Sequence, residues 1–195
     1  EIAPGLARAY PRLTIVWRED HTSGLVRQVN DGMLDAAVLA LEADLGTLEH
    51  ATLMRDPFLL AAAPEHRLAG PKRRARIQDL DGEGVLLLDD GHCFRDQALQ
   101  LCARTGAREA GFRATSLATL VQMASAGKSV TLLPSIAVPV ENRRGQLVVR
   151  PFAPPGPGRT LALAWRRGAA LAGSLAQLAA SIRKTLKELG ETATL

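Results

Sequence analysis

The chain has 195 residues, 47% hydrophobic and 23% charged, with a formal net charge of +4. That apolar fraction supports a core and excludes wholesale disorder; the lack of any apolar run of about 18 residues excludes a transmembrane helix. With 4% aromatics and two cysteines, neither a base-stacking platform for single-stranded nucleic acid nor a disulfide-rich scaffold is expected. The densest basic run, Lys72-Arg73-Arg74 with Arg76, reads as a solvated loop, at most a supplement to phosphate contacts.

The opening Ile2, Leu6, Ala9, Leu13 spacing reads as a helix already under way. With no initiator Met, basic n-region or apolar h-region, the chain is expected to be a fragment of a longer, unexported protein. A reducing cytosol is the expected compartment, where cysteines are more often reactive than structural. Leu13 to Glu19 is rich in β-branched residues and predicts a strand. A loop, Asp20 to Ser23, follows, in which Thr22 or Ser23 caps a helix carrying Leu25, Val29 and Met33. Asn30-Asp31-Gly32 ends it, and Ala36 to Leu41 predicts a buried strand. A second apolar run, Phe58 to Ala63, begins after Asp56-Pro57, and residues 68–76 read as basic loop.

Ile77 to Leu80 predicts a helical turn and Gly84 to Leu88 a strand. A helix is expected from about His92 to Thr105, with Phe94, Ala98, Leu101 and Cys102 on its apolar side and Gly106 as terminator. Thr115-Ser116-Leu117 opens another helix, with Leu117, Leu120, Val121 and Ala124 on one face and Gly127 at its end. Strands are predicted at 129–134, 146–152 and 160–165. Between the last two lies Ala153-Pro154-Pro155-Gly156-Pro157-Gly158, a linker or crossing point. Leu171, Leu175, Leu178, Ile182, Leu186 and Leu189 give a final amphipathic helix.

This alternation predicts an α/β protein with mostly parallel sheets. Breakpoints near Pro57 and Gly158 predict two subdomains, residues 1–57 with 158–195 and residues 58–157, the chain crossing twice. Ligands in such folds sit at the C-terminal ends of strands, in the crevice between the halves. The histidines at 21, 50, 66 and 92 lack metal-ligand spacing, and there is no CxxC, so no metal is expected. Gly127-Lys128-Ser129 imitates the end of a P-loop, but the required first glycine falls on Gln122. Neither GxGxxG nor GxSxG occurs, leaving hydrolase, kinase and dehydrogenase readings without support and no cofactor expected.

The cysteines are the remaining chemistry. Cys93 falls in the first turn of a predicted helix, where free N–H groups and the helix dipole favour a thiolate. His92 and Arg95 add positive potential; Asp89, Asp90 and Asp96 oppose it. On the residues alone, Cys93 reads equally as a reactive thiolate or an inert first-turn residue, and Cys102 more readily as a small buried hydrophobe. Nine residues of helix rise roughly 13.5 Å and turn the two positions to opposite sides, whereas a disulfide needs Cα atoms within about 7 Å. Pairing them requires the helix between to unwind, which makes a poor staple and a good switch. Thiolate attack on a peroxide would yield a sulfenic acid that a second thiol resolves. Thr22, His92, Gln97 and Arg159 offer the hydroxyl, imidazole, amide and guanidinium groups suited to a pocket for neutral peroxide.

The stretch Asp89-Asp90-Gly91-His92-Cys93-Phe94-Arg95-Asp96-Gln97-Ala98, with Cys102 beyond it, resembles the OxyR family, the peroxide-sensing branch of the LysR-type transcription activators. The likeness continues through Phe112 to Leu117, Val130 to Pro134, and Arg159-Thr160 into the last helix. It implies a regulatory domain of two Rossmann-like α/β subdomains, periplasmic-binding-protein-like. It also implies that Cys93 is peroxidatic and Cys102 resolving, that Thr22, His92, Gln97 and Arg159 bind peroxide, and that Arg95 and Asp96 belong to the switch segment. Hydrogen peroxide is then the small-molecule partner, and a Cys93–Cys102 disulfide alters a homodimer or tetramer. Thioredoxin or glutaredoxin is the expected reductant. The family's winged helix-turn-helix and first regulatory strand are not found in the chain, so DNA is contacted only through a missing N-terminal domain, and no membrane is involved. Ser129 stands where the family commonly has glycine. The thiol chemistry is expected to be stoichiometric rather than enzymatic. The alternatives are a thiol peroxidase turning over with a reductant, and a LysR-type co-inducer-binding domain with inert cysteines.

Overall fold

The computed structural model describes residues 2–70, 74–89 and 93–192, with side chains for all of these except Cys93 and residues 189–192. Helices form at Ile2–Ala9 (α1), Thr22–Asn30 (α2), Cys93–Thr105 (α3), Leu117–Ala124 (α4), Val138–Glu141 (α5) and Ala172–Thr192 (α6). Strands form at Ala36–Ala40 (β1), Glu49–Ala62 (β2), Gly84–Leu88 (β3), Arg108–Ala114 (β4), Val130–Pro134 (β5), Val148–Pro151 (β6) and Gly158–Trp165 (β7). Contacts divide the chain into two units, Glu1–Arg55 with Thr160–Leu195, and Asp56–Arg159. Strands β2 and β7 run through both divisions.

In the first unit β7 lies between β1 and β2 and pairs antiparallel with β1. Strand periodicity sends Leu163 and Trp165 to one face and Ala164 to the other. On the first face Leu163 and Trp165 pack with Leu6 of α1, Leu53, and Leu175, Ala179 and Ile182 of α6. On the second, Val29 of α2 meets Ala37, Leu39 and Ala164. Helices on both faces of a sheet are the α/β layering that the alternating pattern predicts.

In the second unit β5 lies between β2 and β3, with β4 beyond β3 and β6 on the other side of β2. Strand β3 runs parallel to β4 and to β5, whereas β2 pairs antiparallel with both β5 and β6. The sheets are therefore mixed rather than mostly parallel. Strands β3, β4, β5 and β6 run in one direction, joined in turn through α3, α4 and α5, because a crossover returns the chain in the same direction; β2 runs against them. Strands β3 and β5 read as apolar runs because they are buried: Val85 to Leu88 and Val130 to Pro134 are all covered, and the one polar residue, Thr131, donates its hydroxyl to the Leu86 carbonyl at 3.0 Å.

Local signals set the ends of the unit's helices. Ser116 caps α4, its Oγ accepting from the Thr119 N–H at 3.2 Å. Gly106 and Gly127 follow α3 and α4 with φ of 73° and 88°, the left-handed region that glycine enters without steric cost.

Three expectations change. Leu13 to Glu19 forms neither strand nor helix. Ile15 packs on the α6-side core, while Val16 and Trp17 are 87% and 61% exposed. β-branched composition favours extended backbone, but a strand needs a ladder partner, and the segment has none among the described residues. Helix α2 is not capped by Thr22 or Ser23, which lie inside it. His21 is its N-cap without a side-chain cap bond, its own N–H donating to Asp20 Oδ1 at 2.7 Å. Strand β4, to which no element is assigned from sequence, is polar and broken by Gly111; its pairing with β3, Gly84 opposite Arg108 and Leu88 opposite Ala114, makes it a strand.

Two substitutions separate packed from unpacked apolar residues. Leu120→Ala, at 0% exposure, should lower stability by about 2–5 kcal/mol in urea denaturation. Val16→Ala should change it by less than about 0.5 kcal/mol.

Candidate switch helix and its polar partners

Helix α3 carries both cysteines, and its docking follows from three kinds of side chain. Phe94 meets Phe58 of β2 edge-on, with ring centroids 4.8 Å apart at 85°, a geometry worth about 0.5–1.5 kcal/mol beyond burial. Ala98, Leu101 and Cys102 enter the core of the second unit. Arg95 is the exception to an apolar face: it is 4% exposed and so needs partners for its charge. Its Nη1 donates to the Leu88 carbonyl at 3.0 Å and to Glu109 Oε1 at 2.9 Å, and Nη2 donates to Glu109 Oε2 at 3.4 Å. One guanidinium thus ties α3 to the end of β3 and to β4. Arg113 Nε adds a second donor to Glu109 Oε1 at 2.8 Å. Hydrogen bonding to Arg95, reinforced by its charge and by Arg113, holds the Glu109 carboxyl below the usual glutamate value against the opposing effect of burial.

Gln97 stands one helical turn beyond Cys93. Its Oε1 and Nε2 are both buried, and neither has a hydrogen-bond partner among the described residues. Leaving such groups unmet costs on the order of 1–3 kcal/mol each, so a buried amide in this position calls for a polar partner. Cys93 opens α3, at the end where unpaired N–H groups and the dipole stabilise an anion; its side chain and all of His92 lie outside the described residues. Asp96 is exposed in the first turn.

Cys102 is a free thiol, 4% exposed. Burial first, and then the charge of Glu109, pushes its pKa up, so the thiol stays protonated at neutral pH and is a poor nucleophile where it stands. Cys93 and Cys102 share one unbroken helix, which keeps the two positions roughly 13.5 Å apart along its axis.

The second unit holds another polar cluster. Asp56, at 0% exposure, accepts from Arg159 Nε at 3.0 Å through Oδ2, and through Oδ1 from Ser135 Oγ at 2.9 Å and the Ile136 N–H at 3.2 Å. Arg159 is therefore paired with a buried carboxylate where β2 enters the unit and β7 leaves it. Thr22 belongs to the first unit, as the half-buried opening residue of α2. The structure gathers Arg95, Asp96, Gln97 and Cys102 on one helix with Cys93; Arg159 and Thr22 stand on other elements.

Sequence reasoning misses Glu109 and Asp56. Asp56 carries a signal, a carboxylate that alternates with the apolar Met54, Phe58 and Leu60 along one strand. Glu109 carries none, because nothing local marks a charged residue in a polar edge strand as the partner of a buried arginine. Among the described residues no group of three or more His, Cys, Asp or Glu side chains is placed to hold a metal ion, and no helix is long and apolar enough to cross a membrane.

Residues 1–187 match the LysR substrate binding domain family. The chain is 42% identical over 188 residues to the hydrogen peroxide-inducible genes activator of Dickeya chrysanthemi, covering 96% of this chain and 61% of that protein. It is 41% identical over 183 residues to the DNA-binding transcriptional dual regulator OxyR of Escherichia coli K12, covering 93% and 60%. Among solved structures, the reduced form of OxyR superposes with a TM-score of 0.84 at 39% identity, covering 94% of this chain and 86% of that one. Its oxidised form gives 0.82 at 40% identity, covering 94% and 87%. The chain thus spans about three fifths of the length of these two curated relatives.

Removing the acceptor from the buried cluster, as in Asp56→Ala, should cost about 3–5 kcal/mol in chemical denaturation, because Arg159 is left charged and unmatched. The depressed carboxyl of Glu109 fixes a sign for acid. Its contribution is fully present above the unfolded value of about 4.3 and is lost as pH falls through the lower folded value. The stability gap between the parent chain and Glu109→Gln should hold steady above that pH and close on acidification, as read by urea titrations across the range.

Proposed function

The chain belongs to the LysR substrate-binding-domain family, on its OxyR branch, and from that premise we propose that it is the peroxide-sensing regulatory domain of a LysR-type transcription regulator. The observation that carries the reading is the orphaned amide of Gln97, one turn from a cysteine at a helix N-terminus. Hydrogen peroxide is small, neutral, and both donates and accepts hydrogen bonds, as that amide does. Thr22, His92 and Arg159 complete the proposed peroxide-binding set, with Arg95 and Asp96 in the segment that refolds.

In this reading the Cys93 thiolate attacks one peroxide oxygen. The O–O bond breaks, hydroxide leaves and is protonated to water, and Cys93 becomes a sulfenic acid. The Cys102 sulfur then attacks the sulfenic sulfur. The S–S bond forms as the S–O bond breaks, and the hydroxyl departs with the thiol proton as a second water. Two thiols lose two electrons and one peroxide gains them, so each domain reacts once until a dithiol reductant of the thioredoxin or glutaredoxin class restores it. Because Cys102 is buried with its pKa raised, closure requires residues 93–102 to leave the helix. In the longer protein that repacking would alter a dimer or tetramer and so reposition DNA-binding domains beyond this chain. A cytoplasmic setting keeps the resting thiols reduced.

Treating the reduced chain with one equivalent of hydrogen peroxide, digesting without reductant and mapping thiols by mass spectrometry tests this directly. A Cys93–Cys102 linked peptide within seconds is expected. Two free thiols after minutes would overturn the reading in favour of a co-inducer domain with inert cysteines. In Cys93→Ser, the remaining thiol should react with iodoacetamide at least tenfold more slowly in the folded chain than in urea. In Cys102→Ser, peroxide should leave a sulfenic acid at Cys93 that dimedone traps.

A further inference from the structure

Resting on that functional reading, we propose that Glu109 is the latch of the switch: its ion pair with Arg95 holds α3 in the dithiol form and must part before Cys93 and Cys102 can meet. The argument begins with geometry. The two cysteines lie at either end of residues 93–102, and the roughly 13.5 Å axial separation along intact helix must fall to a Cα separation within about 7 Å. Arg95 lies inside that segment, two residues from Cys93. It cannot keep its position while the first turns of α3 unwind.

Arg95 also anchors the segment to elements outside it. Its side chain is 5% exposed, and its guanidinium is shared between Glu109 and the Leu88 carbonyl. Strand β4, which carries Glu109, is held in register against β3 and lies outside the cysteine-to-cysteine segment. The latch therefore has one half inside the cysteine-to-cysteine segment and one half outside it. Arg113, on the same strand as Glu109, holds the carboxylate from the solvent side at 2.8 Å, so Glu109 stays oriented toward Arg95. Glu109 touches neither peroxide nor reacting sulfur in this scheme. It is a positioning residue that weights the balance between two packings of α3.

The consequence is a separation of steps. Sulfenic acid formation at Cys93 precedes unwinding and should be indifferent to Glu109. Disulfide closure follows unwinding and should not be. Removing the latch destabilises the dithiol form relative to the disulfide form, so the equilibrium moves toward the disulfide and the reduction potential becomes more negative.

The experiment equilibrates the full 195-residue chain and its variants in dithiothreitol redox buffers, quantifying dithiol and disulfide by alkylation and mass spectrometry. Glu109→Gln should shift the equilibrium about tenfold toward the disulfide, equivalent to about 30 mV for a two-electron couple. Glu109→Asp, with a shorter carboxylate, should move about threefold in the same direction, and it keeps the test available if the glutamine variant folds poorly by circular dichroism. Closure after peroxide should be faster in both. The rate of sulfenic acid formation, trapped with dimedone in a Cys102→Ser background, should stay within twofold of the parent. Unchanged potential and closure rate in a parent chain that does form the disulfide would overturn the latch alone. So would an equal change in sulfenic acid formation, which would place Glu109 in the peroxide step. A parent chain that forms no disulfide would overturn the functional reading and the latch with it.

Discussion

An unbroken α-helix sets the distance between the two cysteines of this chain. Residues 93 and 102 lie in one helix, and no side-chain rotation can bridge two and a half turns of backbone. Any chemistry that joins them must exchange one packing of the segment for another. What fastens α3 to its surroundings thereby becomes part of the redox chemistry. The fastenings differ in kind: an edge-on aromatic contact at Phe94, apolar burial of Ala98, Leu101 and Cys102, and a charged fork at Arg95. The apolar contacts are non-directional and can re-form in another arrangement. The fork is directional, and it ties the segment to a strand outside it.

The same rule about buried polar groups produces opposite outcomes in one unit. At Asp56 every oxygen is met, by Arg159, Ser135 and the Ile136 N–H; the cluster is complete and serves to hold β2 and β7 in place around it. At Gln97 a donor and an acceptor are buried with no partner among the described residues. A satisfied cluster reads as architecture, whereas the Gln97 amide is, in the proposed function, the seat of a small polar molecule. Cys102 adds a third case, a thiol that burial keeps protonated and unreactive until its surroundings change.

Much of the second unit was legible in the sequence because its signals are local. Val85 to Leu88 is apolar without interruption and Val130 to Pro134 is broken only by Thr131, as suits buried strands. Phe94, Ala98, Leu101 and Cys102 recur at helical spacing, and Gly106 supplies the left-handed residue that ends the helix. Where the signal was not local, the reading changed. Leu13 to Glu19 has the composition of a strand but no ladder partner, and Arg108 to Ala114 has the partner without the composition. Parallel and antiparallel pairing in the sheets likewise depends on which strands a helix connects, which periodicity does not report.

By itself, the sequence determined the elements of the α/β layering, the spacing of two cysteines on one helix, and the block from Gly91 to Gln97 that marks the family, because each is written in neighbouring residues. The tertiary structure alone decided which charges meet. Arg95 reaches Glu109 across a strand boundary, and Arg159 reaches Asp56 from a position 103 residues away. A buried charge takes whichever partner the fold brings within hydrogen-bond distance, and that distance is a property of packing, not of position along the chain.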